Sequence, residues 1–277
     1  MFCLSGRRES RSLAGVMRRL VLLVILAFPA RAHDTWLQPE RFAATPGATL
    51  VLGLTSAAGF IGTDTAIEPE RVARALGRVG GDAVTITEPV AGAKALGFSA
   101  TFTRPGVAVL GVELKPHVLE LAADKIERYF RELHAGDELR AAWATVLEPR
   151  RWRESYVKQA KTFVRVGEPP ASDRAWAEPL GFVLEIVPER DPTTLHAGDE
   201  LPVRVLRGGA PFAGFVVAYV SAGETREHVA VTDAAGRASA MLDARGAWLV
   251  HGTDLRRATA AGLEWQSDFT TMVVEAK

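Results

Sequence analysis

The chain has 277 residues, a formal net charge of zero, 48% hydrophobic and 24% charged residues, and one cysteine, Cys3. Zero net charge argues against a general nucleic-acid binder and against a broad electrostatic hold on membranes. A lone cysteine near the start excludes a disulfide framework and leaves no thiolate downstream for catalysis or metal binding.

Residues 18–36, RRLVLLVILAFPARAHDTW, read as a secretory signal peptide and the start of the exported chain. Arg18 and Arg19 form a positive n-region, residues 20–28 an apolar h-region, and Ala30-Arg31-Ala32 the small-residue site a signal peptidase reads. Residues 1–16 read as an upstream extension, because Met17 followed by two arginines is the more usual beginning of such a signal. The h-region is short for a membrane span and no later stretch reaches the needed length. The expected product is soluble and periplasmic, cut near Ala32, with His33 first.

Short apolar runs at 35–37 and 50–54, punctuated by Pro39, Pro46 and Gly47, read as strands. Residues 60–64, FIGTD, read as loop, and 70–76, ERVARAL, as a short helical turn or an edge strand. Residues 84–87 alternate as a strand does. Residues 98–102 and 107–114 read as a hairpin joined through Arg104-Pro105-Gly106, since Pro-Gly is a strong turn signal.

In residues 122–133, AADKIERYFREL, Ile126, Tyr129, Phe130 and Leu133 fall at helical spacing, and Gly136 closes the helix. Residues 139–147 suggest a second helix. Residues 154–166, rich in β-branched and aromatic side chains, favour a strand, and 167–171, GEPPA, a linker.

From residue 179 the pattern is all-β. Strand candidates fall at 182–187, 201–206, 215–220, 229–232, 238–242, 248–250 and 269–274, with turns at Gly208-Gly209, 233–236 and Arg245-Gly246. Seven short strands at regular spacing fit an immunoglobulin-like sandwich without the cysteine pair of antibody domains. The expected fold is mostly β: two β-sandwich-like domains, 33–170 with a small helical insertion at about 118–148, and an immunoglobulin-like domain at 179–277.

Four segments carry a family resemblance: AHDTWLQP at the expected mature N-terminus, LHAGDELPVRVLRGGAPFAG, VTDAAGRASAMLDARGAWLVHGTDLRR and LEWQSDFTTMVVE. Together they resemble an exported bacterial family of unknown function whose relatives are linked with nickel and cobalt uptake. The resemblance spans the chain from His33 to its end. It implies a periplasmic protein with an N-terminal β-domain and a C-terminal immunoglobulin-like domain, and no established enzyme activity. In relatives linked with metal uptake a histidine often follows the tryptophan strand. Here that neighbourhood reads Val250-His251-Gly252-Thr253-Asp254, with His251 shifted and Asp254 near the usual place.

An N-terminal His33 offers an amine and an imidazole on one residue, a chelate suited to copper or nickel once a second histidine joins it. His251 is the best partner, and Asp254 is an oxygen donor nearby; Asp34 offers another. His33, His251 and Asp254 are therefore the candidate ligands for a transition metal ion. The bland readings are a frayed terminus, a structural strand histidine, and an aspartate paired with Arg256 or Arg257. His134 at a helix end reads as a cation facing the helix carbonyls, and His117, His196 and His228 read as local or solvated. Arg150, Arg151 and Arg153, with Lys158 and Lys161, form a basic group for an anionic ligand or a solvated loop. Lys161 inside an apolar strand suggests an acid partner across the domain interface.

No nucleophile elbow, phosphate loop, dinucleotide fingerprint or His-Glu-x-x-His occurs, so no enzyme is expected. Two functions lead: a periplasmic binding or accessory protein for nickel, cobalt or copper linked to metal uptake, and a cell-envelope scaffold that docks a protein partner without metal; a third, a hydrolase with dispersed catalytic residues, requires a pocket holding a histidine beside an acid and a nucleophile.

Overall fold

The computed structural model describes residues 34–147 and 150–277. Strands dominate, and the main ones are β1 (Asp34–Pro39), β2 (Thr49–Ala57), β3 (Val72–Val79), β4 (Leu96–Thr101), β5 (Gly106–Leu114) and β6 (His117–Leu121). Two short helices follow, α1 (Ile126–Glu132) and α2 (Asp137–Ala144), then a fifteen-residue strand, β7 (Trp152–Val166). The remainder is β8 (Leu184–Pro188), β9 (Glu200–Arg207), β10 (Val216–Ser221), β11 (Glu227–Val231), β12 (Arg237–Met241), β13 (Gly246–Arg257) and β14 (Trp265–Ala276).

The strands form three layers. A ten-stranded sheet in the middle runs β11-β10-β13-β14-β7-β5-β3 and ends on residues 82–83, with β6 and residues 43–44 also paired to β7. A six-stranded sheet built on β1-β2-β4 covers one face, and a four-stranded sheet of β8, β9, β12 and residues 210–211 covers the other. Alternation along a strand explains how one sheet serves two cores. On β5, Ala108, Leu110 and Val112 face Leu50, Leu52, Phe98 and Ala100 of the six-stranded sheet. Val107 and Val109 face the opposite way, into the core with Ile186, Val203 and Val205 of the four-stranded sheet. Both faces of β5 are apolar because both are covered.

The C-terminal part has the immunoglobulin-like arrangement: β8-β9-β12 on one side, β11-β10-β13-β14 on the other. Its last strand does not end the sheet. β14 pairs in parallel with β7, from Glu154 opposite Trp265 to Thr162 opposite Val273, so the middle sheet takes strands from both sides of the Gly167–Ala171 stretch.

Two expectations are refined and one is overturned. Residues 70–76 hold both of their alternatives, a 3-10 turn at Pro69–Arg71 and then strand β3. The last two strands are twelve residues each rather than the short runs expected. Residues 98–102 and 107–114 do not form a hairpin: β4 pairs with β2, whereas β5 pairs with β7 and β3. The Pro-Gly corner lifts the chain from one sheet to the next, and the apolar faces of the two strands meet across the core instead of lying edge to edge.

The helical insertion lies where the spacing placed it. Ile126, Tyr129 and Phe130 are buried. The Phe130 ring meets Trp152 and Trp265 edge-on, and Trp143 meets Trp152 likewise. Trp152 and Trp265 stack at 4.5 Å between centroids. This packing replaces the stability that helices of seven and eight residues lack on their own.

Candidate functional site

Residue 33 lies outside the described residues, so the site is built from Asp34 onward. β1 is seated on the middle sheet by the Thr271 hydroxyl, which donates to the Thr35 carbonyl at 2.6 Å. Thr271 stands opposite His251 in the β13–β14 register. That seating brings Asp34 to His251: Asp34 Oδ2 lies 3.2 Å from His251 Nδ1. On the other side of the ring, His251 Nε2 lies 3.2 Å from Glu227 Oε1, an ionic contact off the hydrogen-bond axis. Glu227 Oε2 in turn lies 2.7 Å from His134 Nε2, at the elbow between α1 and α2. Asp34, His251, Glu227 and His134 thus form one chain of contacts from β1 across β13 and β11 to the insertion.

The electrostatics follow from this enclosure. Burial opposes charge on His251, but Asp34 and Glu227 outweigh it and hold the imidazolium up to about 10. Burial likewise resists the Glu227 carboxylate, yet the hydrogen bond with His134 and the attraction of both imidazoles hold it well below the usual range. Lys158 lies on the same face, donating to Thr35 Oγ1 at 3.1 Å above the rings of Tyr156 and Phe269.

Asp254 is not part of this cluster. His251 shares its face with Leu249, which packs against Trp36, whereas Asp254 shares the opposite face with Val250. There its carboxylate meets Arg207 at 3.0 Å and Arg256 at 2.8 Å, and Arg256 also reaches Asp268 at 2.8 Å. Burial pushes the Asp254 carboxyl up against the pull of these arginines. The pairing with Arg256 matches the bland reading of the acids near the C-terminal strand; Arg257 instead lies over the Trp265 ring. Among the described residues, no group of three or more His, Cys, Asp or Glu is arranged to hold a metal ion.

The remaining histidines are apart from the cluster. His228 pairs with Asp243 at 3.3 Å, His196 lies 3.9 Å from Asp199, and His117 meets the Tyr156 ring edge-on. The basic group is dispersed too: Arg153 pairs with Glu120, and Lys158 and Lys161 fall on opposite faces of β7. Glu227 and His134 were not legible as site residues. His134 showed only as a helix-end cation, and Glu227 opens a strand with no spacing that links it to anything.

The strands define a layered, mostly-β protein with an immunoglobulin-like C-terminal part, crossed by this ionic chain centred on the buried His251. The chain belongs to the family described as "Domain of unknown function (DUF4198)", whose model matches residues 30–253. No curated protein matches it. Similar solved structures include the D0-D1 domain of intimin, 12% identical over 87% of this chain and 96% of that one, with a TM-score of 0.23. The Escherichia coli adhesin FdeC is 12% identical over 90% of this chain and 66% of that one, TM-score 0.24. Murine CEACAM1b is 7% identical over 88% and 99%, TM-score 0.20. Among the described residues no helix is long and apolar enough to cross a membrane.

Proposed function

We propose that this chain is an exported, periplasmic binding and accessory protein that takes nickel, cobalt or copper as cargo at its processed N-terminus. His33 supplies an amine and an imidazole, and His251 the second imidazole. One observation carries the reading: the residue next to His33 has its carboxylate 3.2 Å from His251. The donor chemistry fits, because imidazole nitrogens and carboxylate oxygens suit these borderline divalent ions. A carboxylate behind one ring nitrogen is the usual support of a ligating imidazole; Asp34 stands at Nδ1 and Glu227 at Nε2, so an ion takes one ring nitrogen in place of its carboxylate while the other carboxylate orients the ring. The described donors are not sufficient by themselves, so the reading depends on His33. With the His251 imidazolium held up to about 10, an ion must displace its proton, and binding weakens as pH falls.

The test is protein exported with its own leader and recovered from the periplasm. With intact mass placing His33 first, it is expected to bind one such ion at micromolar affinity or tighter, and His251→Gln is expected to abolish this. A correctly processed chain that binds none of the three metals in that range rules the reading out.

A second reading, an envelope scaffold that docks a protein partner, is favoured by the exposed side chains of the edge strands. Val229 and Val231 on β11 are 50% and 61% exposed, and Met241 on β12 is 52% exposed. A photo-crosslinker at Val229 is expected to capture a discrete envelope protein that a crosslinker at Val51, 49% exposed, does not. Identical capture at both positions counts against it.

A further inference from the structure

The helical insertion is held in two contrasting ways. Its base is dry. Tyr129 donates to Glu154 Oε1 at 2.9 Å, Trp152 Nε1 donates to Glu154 Oε2 at 2.8 Å, and the Ser267 hydroxyl also donates to Glu154. All four side chains are buried, and Phe130, Trp143 and Trp265 close around Trp152. Its elbow is wet. His134 and Glu227 are each about a third exposed on their side chains, at 32% and 29%.

Space opens at the elbow rather than core. A cleft there is bounded by Leu133, His134 and Leu139 on one side and by Phe212, Phe215 and Thr253 on the other. The backbone of His134 is also left-handed, with φ of 51°. That conformation closes α1: His134 N–H donates to the Arg131 carbonyl at 3.2 Å and Ala135 N–H to the Phe130 carbonyl at 2.8 Å, which aims the imidazole away from the helix. The same residue makes the contact with Glu227, whose other oxygen faces His251, itself 7% exposed.

We propose that the insertion is a lid over the His251 cluster, hinged on the Glu154 base and closed at its elbow by His134 on Glu227. A closed elbow shields the Glu227 side of His251, and release of His134 lets the turn lift while the tryptophan stack stays in place. What the lid admits rests on the metal reading above; the existence of the lid does not.

Native-state hydrogen exchange on the full chain tests the hinge without any metal. His134→Ala is expected to speed exchange in residues 131–137 about tenfold, the scale of one hydrogen bond to a charged group. Residues 126–130 and 152–156 are expected to keep their rates. An unchanged elbow, or acceleration spread equally through the base, overturns the proposal. Glu227→Gln, which retains the side-chain shape, is expected to give the same pattern in case His134→Ala disturbs folding. With nickel added to processed protein, His134→Ala is expected to raise the association rate severalfold at unchanged stoichiometry. Equal association rates in both proteins remove the gating role, whereas no nickel binding by either protein removes the metal reading and leaves the exchange result to decide the lid.

Discussion

Lys161 Nζ lies 2.9 Å from Glu185 Oε1, and neither side chain is more than 2% exposed. The pair joins β7 of the middle sheet to β8 of the four-stranded sheet. Glu185 is also held by the backbone N–H groups of Leu180, Gly181 and Phe182, at 2.7 to 3.1 Å. Burial resists its charge, but Lys161 and these donors keep the carboxyl below the usual range. The two partners are therefore unequal. Removing the lysine leaves a carboxylate with three donors, while removing the carboxylate leaves an unpaired ammonium and three unmet N–H groups. Glu185→Leu is expected to cost about 3–5 kcal/mol, the range for a broken buried pair. Lys161→Met is expected to cost less, and the double variant less than the sum of the two. Urea unfolding of the three proteins measures this, and a larger loss in Lys161→Met contradicts it.

Gly252 interrupts β13 where the chain has no room. A β-carbon there meets the Phe215 ring at 2.5 Å and the Val216 carbonyl oxygen at 2.6 Å. One obstacle is backbone, so a rotamer change cannot clear it. Gly252→Ala is expected to destabilise by about 1–3 kcal/mol, as overpacking does, despite the better strand propensity of alanine. Gly209→Ala is the contrasting case: nothing lies within 4 Å, but φ is 81°. Its cost is backbone strain alone, so only Gly252→Ala is expected to shift the near-ultraviolet circular dichroism of the aromatic residues.

The base of the insertion makes a separate prediction. Burial pushes the Glu154 carboxyl up against the hydrogen bonds from Ser267, Trp152 and Tyr129. Glu154→Leu leaves a buried phenol, an indole N–H and a hydroxyl without their shared acceptor, each a desolvation cost of about 1–3 kcal/mol. Tyr129→Phe removes one donor and is expected to cost about 1 kcal/mol. Because Trp152 stacks on Trp265, loss of their coupled near-ultraviolet signal in Glu154→Leu reports undocking of α1. Retention of that signal with unchanged stability argues against the anchor.

Much of this was legible in the sequence where one local signal sufficed. The spacing of Ile126, Tyr129 and Phe130 marked the insertion, because a helix displays its buried face every three or four residues. Lys161 stood out as a charge in an apolar strand, and its acid partner was found in Glu185. The corner at Pro105 was misleading. A turn signal reports a reversal, not whether the strands then lie side by side or face to face. The extra length of β13 and β14 was hidden by Asp254, Arg256, Ser267 and Asp268, polar residues that break the apolar pattern of a strand but pair inside. The link from His251 to Glu227 and His134 left no trace at all, since it arises when the insertion folds back on the sheet.

The last prediction concerns His251 and pH. Its imidazolium is held up to about 10 against an unperturbed value of 6.5, burial being outweighed by Asp34 and Glu227. The folded state therefore binds a proton that the unfolded state releases between those values. The stabilisation is fully present below pH 6.5, and is lost as pH rises through about 10. Lys158 acts in the opposite sense: burial, against the pull of Asp34, lowers its ammonium to about 8, so its penalty on the folded state is full below pH 8 and fades as pH rises towards 10.5. The informative quantity is thus the difference between the wild type and His251→Gln, in which Lys158 is common to both. That difference is expected to be largest near pH 6 and to shrink towards pH 10.5, measured by urea unfolding at fixed ionic strength. A difference that stays constant from pH 6 to 10.5 shows that the ring carries no extra proton in the folded chain, and that Asp34 and Glu227 hold it only by shape.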